Sequence, residues 1–329
     1  MLKRTFSVAF ALLLAACGSD STSDADDTGG KASTAGAASQ GGNPSTAGTT
    51  SQGGKSPTAG TTGNGGTKPG ASGGSSAGGS ASGGSASGGS ASGDYWKPQA
   101  GLTWQWQLSE EVGTPLDVDV YDIDWEADQA TVQKLHAAGI KVICYVSVGS
   151  WEDFRPDAKD FPAEVIGNDY DGWPGEKYVD IRSPALRAVM SARFDTCKDK
   201  GFDAIEPDNM DVFELGEDSG FPLTEQDGID YAKWLATAAH SRGMSIGQKN
   251  ASSITAEIVG TYDWALTESC FSDGDWCGDV KAYASANKPV FMCEYEAGSF
   301  DDACATWKPQ NYSPILKSLD LDAPVTNCP

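Results

Sequence analysis

Short apolar runs alternate with helical patterns through the C-terminal two thirds of the chain. Runs of strand length occupy residues 103–107, 118–123, 141–148, 202–206, 245–249, 264–267, 289–295 and 313–317. Patterns of helical period fall at 128–138, 184–200, 225–242, 253–260 and 279–287, between most of those runs. Gly139, Gly201 and Gly243 stand where helix C-caps belong, each followed within one or two residues by a strand pattern. Eight strands with intervening helices in one stretch of this length predict an α/β fold, a single TIM-like (β/α)8 barrel over residues 95–329. A doubly wound open sheet is the alternative, but no GxGxxG or Walker loop follows any strand.

The N-terminal third has no such pattern. From Gly18 to Gly93 there is no Val, Ile, Leu, Met, Phe, Tyr or Trp, and more than half of the chain's 40 glycines lie there. Ordering a residue costs roughly 1–2 kcal/mol, and nothing in that segment offers burial to offset it. Residues 18–94 are therefore expected to be a disordered Gly/Ser-rich tether with an r.m.s. span of roughly 45–50 Å. Ahead of it, Lys3 and Arg4 precede the apolar run Phe6 to Leu14, the layout of a secretory signal. The run ends in Leu14-Ala15-Ala16-Cys17, which resembles the lipobox of bacterial lipoproteins and implies acylation of Cys17 after cleavage of residues 1–17. Ordinary cleavage near Ala16 is the alternative. The expected location is outside the cytoplasm, lipid-anchored in the outer membrane or at the cell surface, with the membrane touched through that anchor only.

Charge changes the list of partners. Residues 95–329 carry 18 basic and 41 acidic side chains, a net of −23. Nucleic acid is excluded, because binding it relies on cations that displace counterions from phosphates. A neutral or cationic ligand fits, although acidity also serves solubility. Beyond Cys17 seven cysteines remain, so export predicts disulfides and at least one free thiol. Placement on adjacent elements suggests Cys144 with Cys197 and Cys270 with Cys277, and less strongly Cys293 with Cys304. No CxxC pair occurs, and the two histidines, His136 and His240, fall at helix ends, so no metal site is expected. A Ser-His-Asp or Cys-His nucleophile system is equally hard to build.

Function in such a barrel lies where strands reach their C-terminal ends, and polar residues gather there. The second strand runs into Asp122 and Asp124. The third ends Ser147-Val148-Gly149-Ser150, followed by Trp151, Glu152 and Arg155. The fourth ends Glu206-Pro207-Asp208-Asn209-Met210-Asp211, the fifth Lys249-Asn250, the sixth Glu268, and the seventh Glu294-Tyr295. Carboxylates with aromatic neighbours are what glycoside hydrolysis uses: one acid protonates the leaving oxygen, another attacks or activates water, and rings stack on sugars. Structural accounts compete for single residues. Asp122 or Asp124 can pair with Arg155, Lys249 or Arg182, and Trp104 with Trp106 can fill the core. Several unpaired buried charges in one place are hard to explain by packing.

The segments 104–108, 119–124, 142–152, 172–176, 200–211 and 268–271 together resemble glycoside hydrolase family 114, the endo-α-1,4-polygalactosaminidases. The resemblance implies a TIM-like barrel, no cofactor and cleavage within chains of α-1,4-linked galactosamine. It places the two catalytic acids on Asp208, expected as nucleophile or water-orienting carboxylate, and Glu268, expected as proton donor. Lys249 and Asn250 are expected to orient a carboxylate or a hydroxyl, with Glu294 and Tyr295 in reserve. Trp106, Asp122, Asp124, Ser147, Gly149, Trp151, Glu152, Arg155, Asn209 and Asp211 complete the expected substrate-binding set. The partner is then a cationic or neutral polysaccharide, acted on by a monomer. The competing class is a surface-tethered, non-catalytic polysaccharide-binding or adhesion module on a degenerate barrel, against which the presence of both acids argues.

Overall fold

A computed structural model describes residues 95–329. The signal segment, Cys17 and the tether lie outside the described residues. In chain order the elements are β1 (Trp104–Gln107), β2 (Val120–Asp124), α1 (Gln129–Ala137), β3 (Lys141–Ser147), β4 (Ser150–Glu152), β5 (Ile166–Asp169), β6 (Glu176–Val179) and α2 (Pro184–Lys200). They continue with β7 (Ala204–Asp208), α3 (Glu225–Ser241), β8 (Ser245–Lys249), α4 (Thr255–Ile258), β9 (Trp264–Glu268), α5 (Lys281–Ser285), β10 (Val290–Glu294), α6 (Ala297–Trp307), β11 (Tyr312–Leu316) and β12 (Thr326–Asn327).

All eight strands expected from the apolar pattern are present and lie side by side in the order β1-β2-β3-β7-β8-β9-β10-β11, every pair parallel, with β12 added antiparallel to β11. Side chains join the two ends of that row. The Trp104 indole N–H donates to the Ser313 carbonyl at 2.7 Å, the Ser313 hydroxyl to the Leu102 carbonyl at 2.7 Å, and Lys317 Nζ to Gln105 Oε1 at 3.0 Å. The sheet therefore curls until its first and last parallel strands meet, the curvature of a TIM-like barrel.

Alternation along each strand divides the core in two. Inside the curl, Trp104, Trp106, Trp264, Phe291, Ile143, Leu266 and Cys293 pack together, with ring centroids of Trp104 and Phe291 5.0 Å apart. Outside it, Val142, Cys144, Ile205, Ile246 and Met292 meet the buried faces of the helices. Gly247 shows how tightly the interior is filled: a Cβ there would lie 2.2 Å from the Trp264 ring. Trp106 is 1% exposed, so it fills the interior instead of offering a face to a sugar.

Helix ends follow the sequence. Ser183 caps α2 through the Ala185 N–H with Pro184 at the first position, Thr224 and Asp227 form a capping box on α3, and Gly201 closes α2 at φ 96°. His136 and His240 lie in the last turns of α1 and α3, each 2.8 Å from a carboxylate, Asp203 and Asp263. The pattern missed a small antiparallel sheet, ordered β4-β6-β5, inserted between β3 and α2, and it missed α6. Strands of three or four residues are too short to display alternation, and the first turn of α6 reads Ala-Gly-Ser, which has little helical signal.

Three disulfides form: Cys144–Cys197 ties β3 to α2, Cys270–Cys277 closes the loop after β9, and Cys304–Cys328 ties α6 to the C-terminal segment. The expected Cys293–Cys304 pairing is corrected. Cys293 faces the inside of the curl while its neighbour Met292 faces the helices, so its sulfur cannot reach α6 on the outside. Pairing of β12 with β11 brings Cys328 to Cys304 instead, and Cys293 is left buried as the free thiol among the described cysteines. Peptide mapping without reduction should recover these three bridges, with Cys293 alkylated only after unfolding. Separating Cys304 from Cys328 by double serine substitution should cost about 3 kcal/mol in denaturant melts. Recovery of a Cys293–Cys304 peptide would refute the arrangement.

Candidate active site

Because the eight strands are parallel, their C-terminal ends share one rim, and the rim is where the chain breaks its own regularity. Asn209, Asn250 and Ser269, the residues immediately after β7, β8 and β9, have φ of 59°, 45° and 51°. Asparagine tolerates this left-handed turn and serine does so at a cost. The turn swings the chain away directly after Asp208, Lys249 and Glu268 and leaves those three side chains at the rim. β7 also parts from β8: the pairs Ala204↔Ser245 and Ile205↔Ile246 form, after which β8 continues with β9 alone up to Lys249↔Leu266. Pro207, which has no N–H for a ladder, stands in the parted segment.

Lys249 occupies the centre. Its ammonium, 2% exposed, lies 2.5 Å from Asp208 Oδ1, 2.7 Å from Glu268 Oε2 and 3.4 Å from Glu206 Oε1, with the Trp106 ring centroid at 5.0 Å. Burial by itself would discharge the amine, but Asp208, then Glu268 and Glu206, reverse that and hold it protonated well above the ordinary lysine range. Asp208 accepts a second bond, from the Tyr145 hydroxyl at 2.7 Å. Burial pushes this carboxyl up, yet the Lys249 charge and the bonds from Lys249, Tyr145 and the Asn209 N–H outweigh it and keep Asp208 below its ordinary value, hence ionised. Glu268, with 29% of its side chain exposed, accepts from the Tyr295 hydroxyl, and its backbone N–H donates to Asn250 Oδ1 at 3.0 Å.

Around this core sit carboxyls of the opposite tendency. Burial, followed by the Asp208 charge, raises Asp211 to about 7. Burial, followed by the Glu152 charge, raises Glu176 to about 7 against a bond from the Ser150 hydroxyl at 3.1 Å. Glu176 is tied back to the rim through Ser150 and Ser147, 2.6 Å apart, to the Asn209 amide at 2.9 Å, whose carbonyl accepts from Tyr170 at 3.0 Å. Gly149 allows that junction: a Cβ on it would lie 1.8 Å from the Asn209 carbonyl oxygen.

The expected residues thus divide. Asp208, Lys249, Glu268, Asn250, Tyr295, Asn209, Asp211, Ser147 and Gly149 come together at the rim. Asp122 lies beneath it, fully buried beside Glu206. Asp124, Glu152 and Arg155 are spent on one another: Arg155 reaches Asp124 at 2.8 Å, Glu152 at 2.9 Å and Glu126 at 2.9 Å. The Trp151 indole N–H donates to the Ala158 carbonyl at 2.9 Å, and Trp106 donates into the interior, to Glu206 Oε2 at 3.1 Å. Glu294 is buried and clamps the loop that follows Glu268, accepting from the Phe271 and Ser272 N–H groups at 2.9 and 3.1 Å and from the Ser272 hydroxyl at 2.8 Å. Tyr145, Tyr170 and Glu176 escaped the sequence reading. Tyr145 looked like one more apolar strand residue, and Glu176 belongs to a strand too short to recognise. Among the described residues, the one grouping with metal-ligand spacing is Cys270, Cys277 and Glu294, whose sulfurs are joined in a disulfide and offer no thiolate.

Comparison with known proteins places this geometry. The pattern of glycoside-hydrolase family GH114 matches residues 86–329. The crystal structure of Aspergillus fumigatus Ega3 in complex with galactosamine is similar at a TM-score of 0.67 and 37% identity, over 72% of this chain and 100% of that one. The glycoside hydrolase domain of PelA from Pseudomonas aeruginosa shares the fold, with a TM-score of 0.56 and 17% identity over 69% of this chain and 99% of its own. An uncharacterised protein of Deinococcus radiodurans is 25% identical over 238 residues, 64% of this chain and 75% of that protein.

The Lys249 ammonium yields a stability test. A carboxyl held below its ordinary value contributes stability that is present above its unfolded pKa, near 4, and lost as pH falls through the lower folded one. Lys249→Met leaves Asp208, Glu206 and Glu268 without a counter-ion and should cost about 3 kcal/mol at pH 7. Protonation relieves the repulsion, so the deficit should shrink by pH 4 in denaturant melts. A deficit that stays constant or grows on acidification would mean that Lys249 is not the counter-ion.

Proposed function

The chain belongs to glycoside-hydrolase family GH114, and from that premise we propose that it is an endo-acting hydrolase of α-1,4-galactosaminidic bonds in polygalactosamine or galactosaminogalactan. One observation carries the reading: two carboxylates from strands two apart, Asp208 and Glu268, meet across a single buried ammonium at a solvent-reaching rim. Two-carboxylate hydrolysis requires one group ionised and the other protonated at the moment of bond cleavage. Asp208, held ionised by Lys249 and Tyr145, takes the role of nucleophile or water-orienting base. The donor role then falls to Glu268, the more exposed of the two, which can reach a glycosidic oxygen. Lys249 holds Asp208 in place, and Tyr295 with Asn250 fixes Glu268 and the strand end that carries it.

The substrate class follows from charge and from the relative. Galactosamine that is not N-acetylated carries an amine protonated at neutral pH, and a domain of net −23 with Asp211 and Glu176 beside the acids attracts it. The galactosamine in the Ega3 crystal structure agrees with that choice. Three disulfides suit a protein that works outside the cytoplasm. Acylation of Cys17 would anchor it, residues 18–94 would tether a monomeric (β/α)8 domain, and the lipid would be its only membrane contact.

The purified protein should release oligosaccharides from galactosaminogalactan, and chemical N-acetylation of the polymer should slow release. Asp208→Asn and Glu268→Gln should each lower kcat by two or more orders of magnitude while the folded protein still binds the polymer. Polymer binding with no release by the parent protein would favour the adhesion module. Steering by charge belongs on kcat/KM, which should fall as salt shortens the field to about 8 Å at 0.15 M. A constant kcat/KM across a tenfold range of salt would leave the charge a role in solubility alone.

A further inference from the structure

Beneath the rim lies a pair of acids that the proposed chemistry does not use. Asp122 on β2 and Glu206 on β7 both point into the curl, and both are 0% exposed. Glu206 spends one oxygen on the Trp106 indole at 3.1 Å and turns the other, Oε1, toward Lys249 at 3.4 Å. Among the described residues, neither oxygen of Asp122 has a hydrogen-bond partner. The carboxyl that Asp122 faces is that of Glu206, whose Oε1 is likewise buried with no hydrogen-bond partner.

Two fully buried carboxylates that face each other with unpartnered oxygens repel and lack a donor, and a single proton between them supplies that donor and removes one charge. We infer that Asp122 and Glu206 share a single proton beneath the active site, and that Asp122, by supplying it, is a positioning residue that fixes Glu206 and through it the Lys249 ammonium between Asp208 and Glu268. The inference rests on the reading of those two as the reacting carboxylates.

The surroundings leave no other assignment. The groups that face the pair are the Trp106 indole from β1, the Tyr145 phenol from β3, Asp208 on the strand of Glu206, Lys249 from β8 and Glu268 from β9. One cation therefore already contacts three carboxyl groups, and among the described residues no second positive charge faces Asp122 in its fully buried place. Burial, followed by the Glu206 charge, raises Asp122 well above the ordinary carboxylate range, and burial also raises Glu206. With the proton present, Glu206 is held from two sides, by Asp122 and by Trp106, and its free oxygen is aimed at the ammonium. Without it the pair repels, and Glu206 loses the anchor that sets where Lys249 sits. This makes Asp122 act through two other side chains, at no point touching substrate.

The test compares Asp122→Asn, whose amide donates the same bond permanently and cannot ionise, with Asp122→Ala, which donates nothing. Turnover of galactosaminogalactan should fall at least tenfold in Asp122→Ala, with kcat affected more than KM, and Asp122→Asn should recover most of that loss. The alkaline limb of kcat in Asp122→Asn should lie at or above that of the parent, because the substitution removes no charge. Infrared difference spectra at pH 6 should show a protonated-carboxyl band in the parent that Asp122→Asn lacks. That readout needs no substrate, so it separates this inference from the hydrolase reading: a parent inactive on the polymer that still shows the band refutes the activity and keeps the shared proton. Melting temperatures of both variants identify a failure to fold, and Asp122→Asn, nearly the same shape as aspartate, keeps the comparison open if Asp122→Ala unfolds. The inference is overturned if the infrared band is the same in parent and Asp122→Asn, if Asn rescues no better than Ala, or if the alkaline limb of Asp122→Asn moves to lower pH, the shift expected from deleting a real negative charge.

Discussion

A single ammonium, that of Lys249, is the constraint around which the rim is arranged. It is buried and bonded to Asp208 and Glu268, with Glu206 at slightly longer range. A buried cation is tolerated only when its charge is matched and its protons are directed, and truncating either side of such a pair leaves the other uncompensated. The result is an arrangement in which the spacing of two acids on different strands is set by one small group and not by the softer geometry of loops. It also gives the two acids different characters. Each accepts from a phenol, Tyr145 for Asp208 and Tyr295 for Glu268, but Asp208 receives the shortest contact from Lys249 and Glu268 lies nearer to solvent.

The apolar interior makes this possible by stopping in the right place. Indole and phenyl rings fill the curl below, and Gly247 gives up its side chain so that the Trp264 ring can occupy that volume. Trp106 is the hinge between the two regimes, packed among rings yet donating upward to Glu206. Above it polar side chains crowd together and bond one another, and the backbone takes part in the same network. Gly149 is pressed against the Asn209 carbonyl, and the Val148 N–H donates to the Asp208 carbonyl at 2.8 Å. Shape at the rim is thus held from both sides of β7, by β3 through the main chain and by Lys249 from β8.

The main sheet could be read from the sequence because each of its strands is a short apolar run bounded by a turn or a capping residue. Ser245–Lys249 and Pro184–Lys200 have the bounds their patterns imply. Asp208, Lys249 and Glu268 could be found because charge at the end of an apolar run is anomalous unless something outside the core needs it. What stayed hidden has physical causes. Strands β4 to β6 are stabilised by pairing with one another and show no alternation of their own. Tyr145 alternates inward like a core residue, and only the fold shows that its hydroxyl ends at Asp208. Asp124 and Glu152 carried the same signal as the rim acids, since sequence cannot tell a carboxylate that faces a ligand from one that meets an arginine, here Arg155, three residues from Glu152 and thirty-one from Asp124. The cysteines show the same limit: neighbouring elements suggested two bridges, but the third depends on β12, a strand of two residues.

The rim also holds protons unevenly, and this bears on how a cationic ligand would be received. Asp208 is ionised, Asp211 and Glu176 lie near 7, and the Asp122–Glu206 pair retains a proton. Near neutral pH the site can therefore change its charge with little cost, in contrast to a ring of fully ionised acids, which would repel itself apart. A positively charged sugar entering such a site favours the ionised forms of Asp211 and Glu176 and draws out their protons, so that attraction strengthens as the ligand arrives. An uncharged, N-acetylated residue supplies no such field and leaves those carboxyls part-protonated near neutral pH, the protonated fraction able to donate hydrogen bonds. The same two side chains can in this way meet both kinds of residue along a partly acetylated polymer. The discrimination between them is then a matter of proton occupancy as well as of shape, which is consistent with a rim whose titrating acids stand beside Asp208 and not at a distance from it.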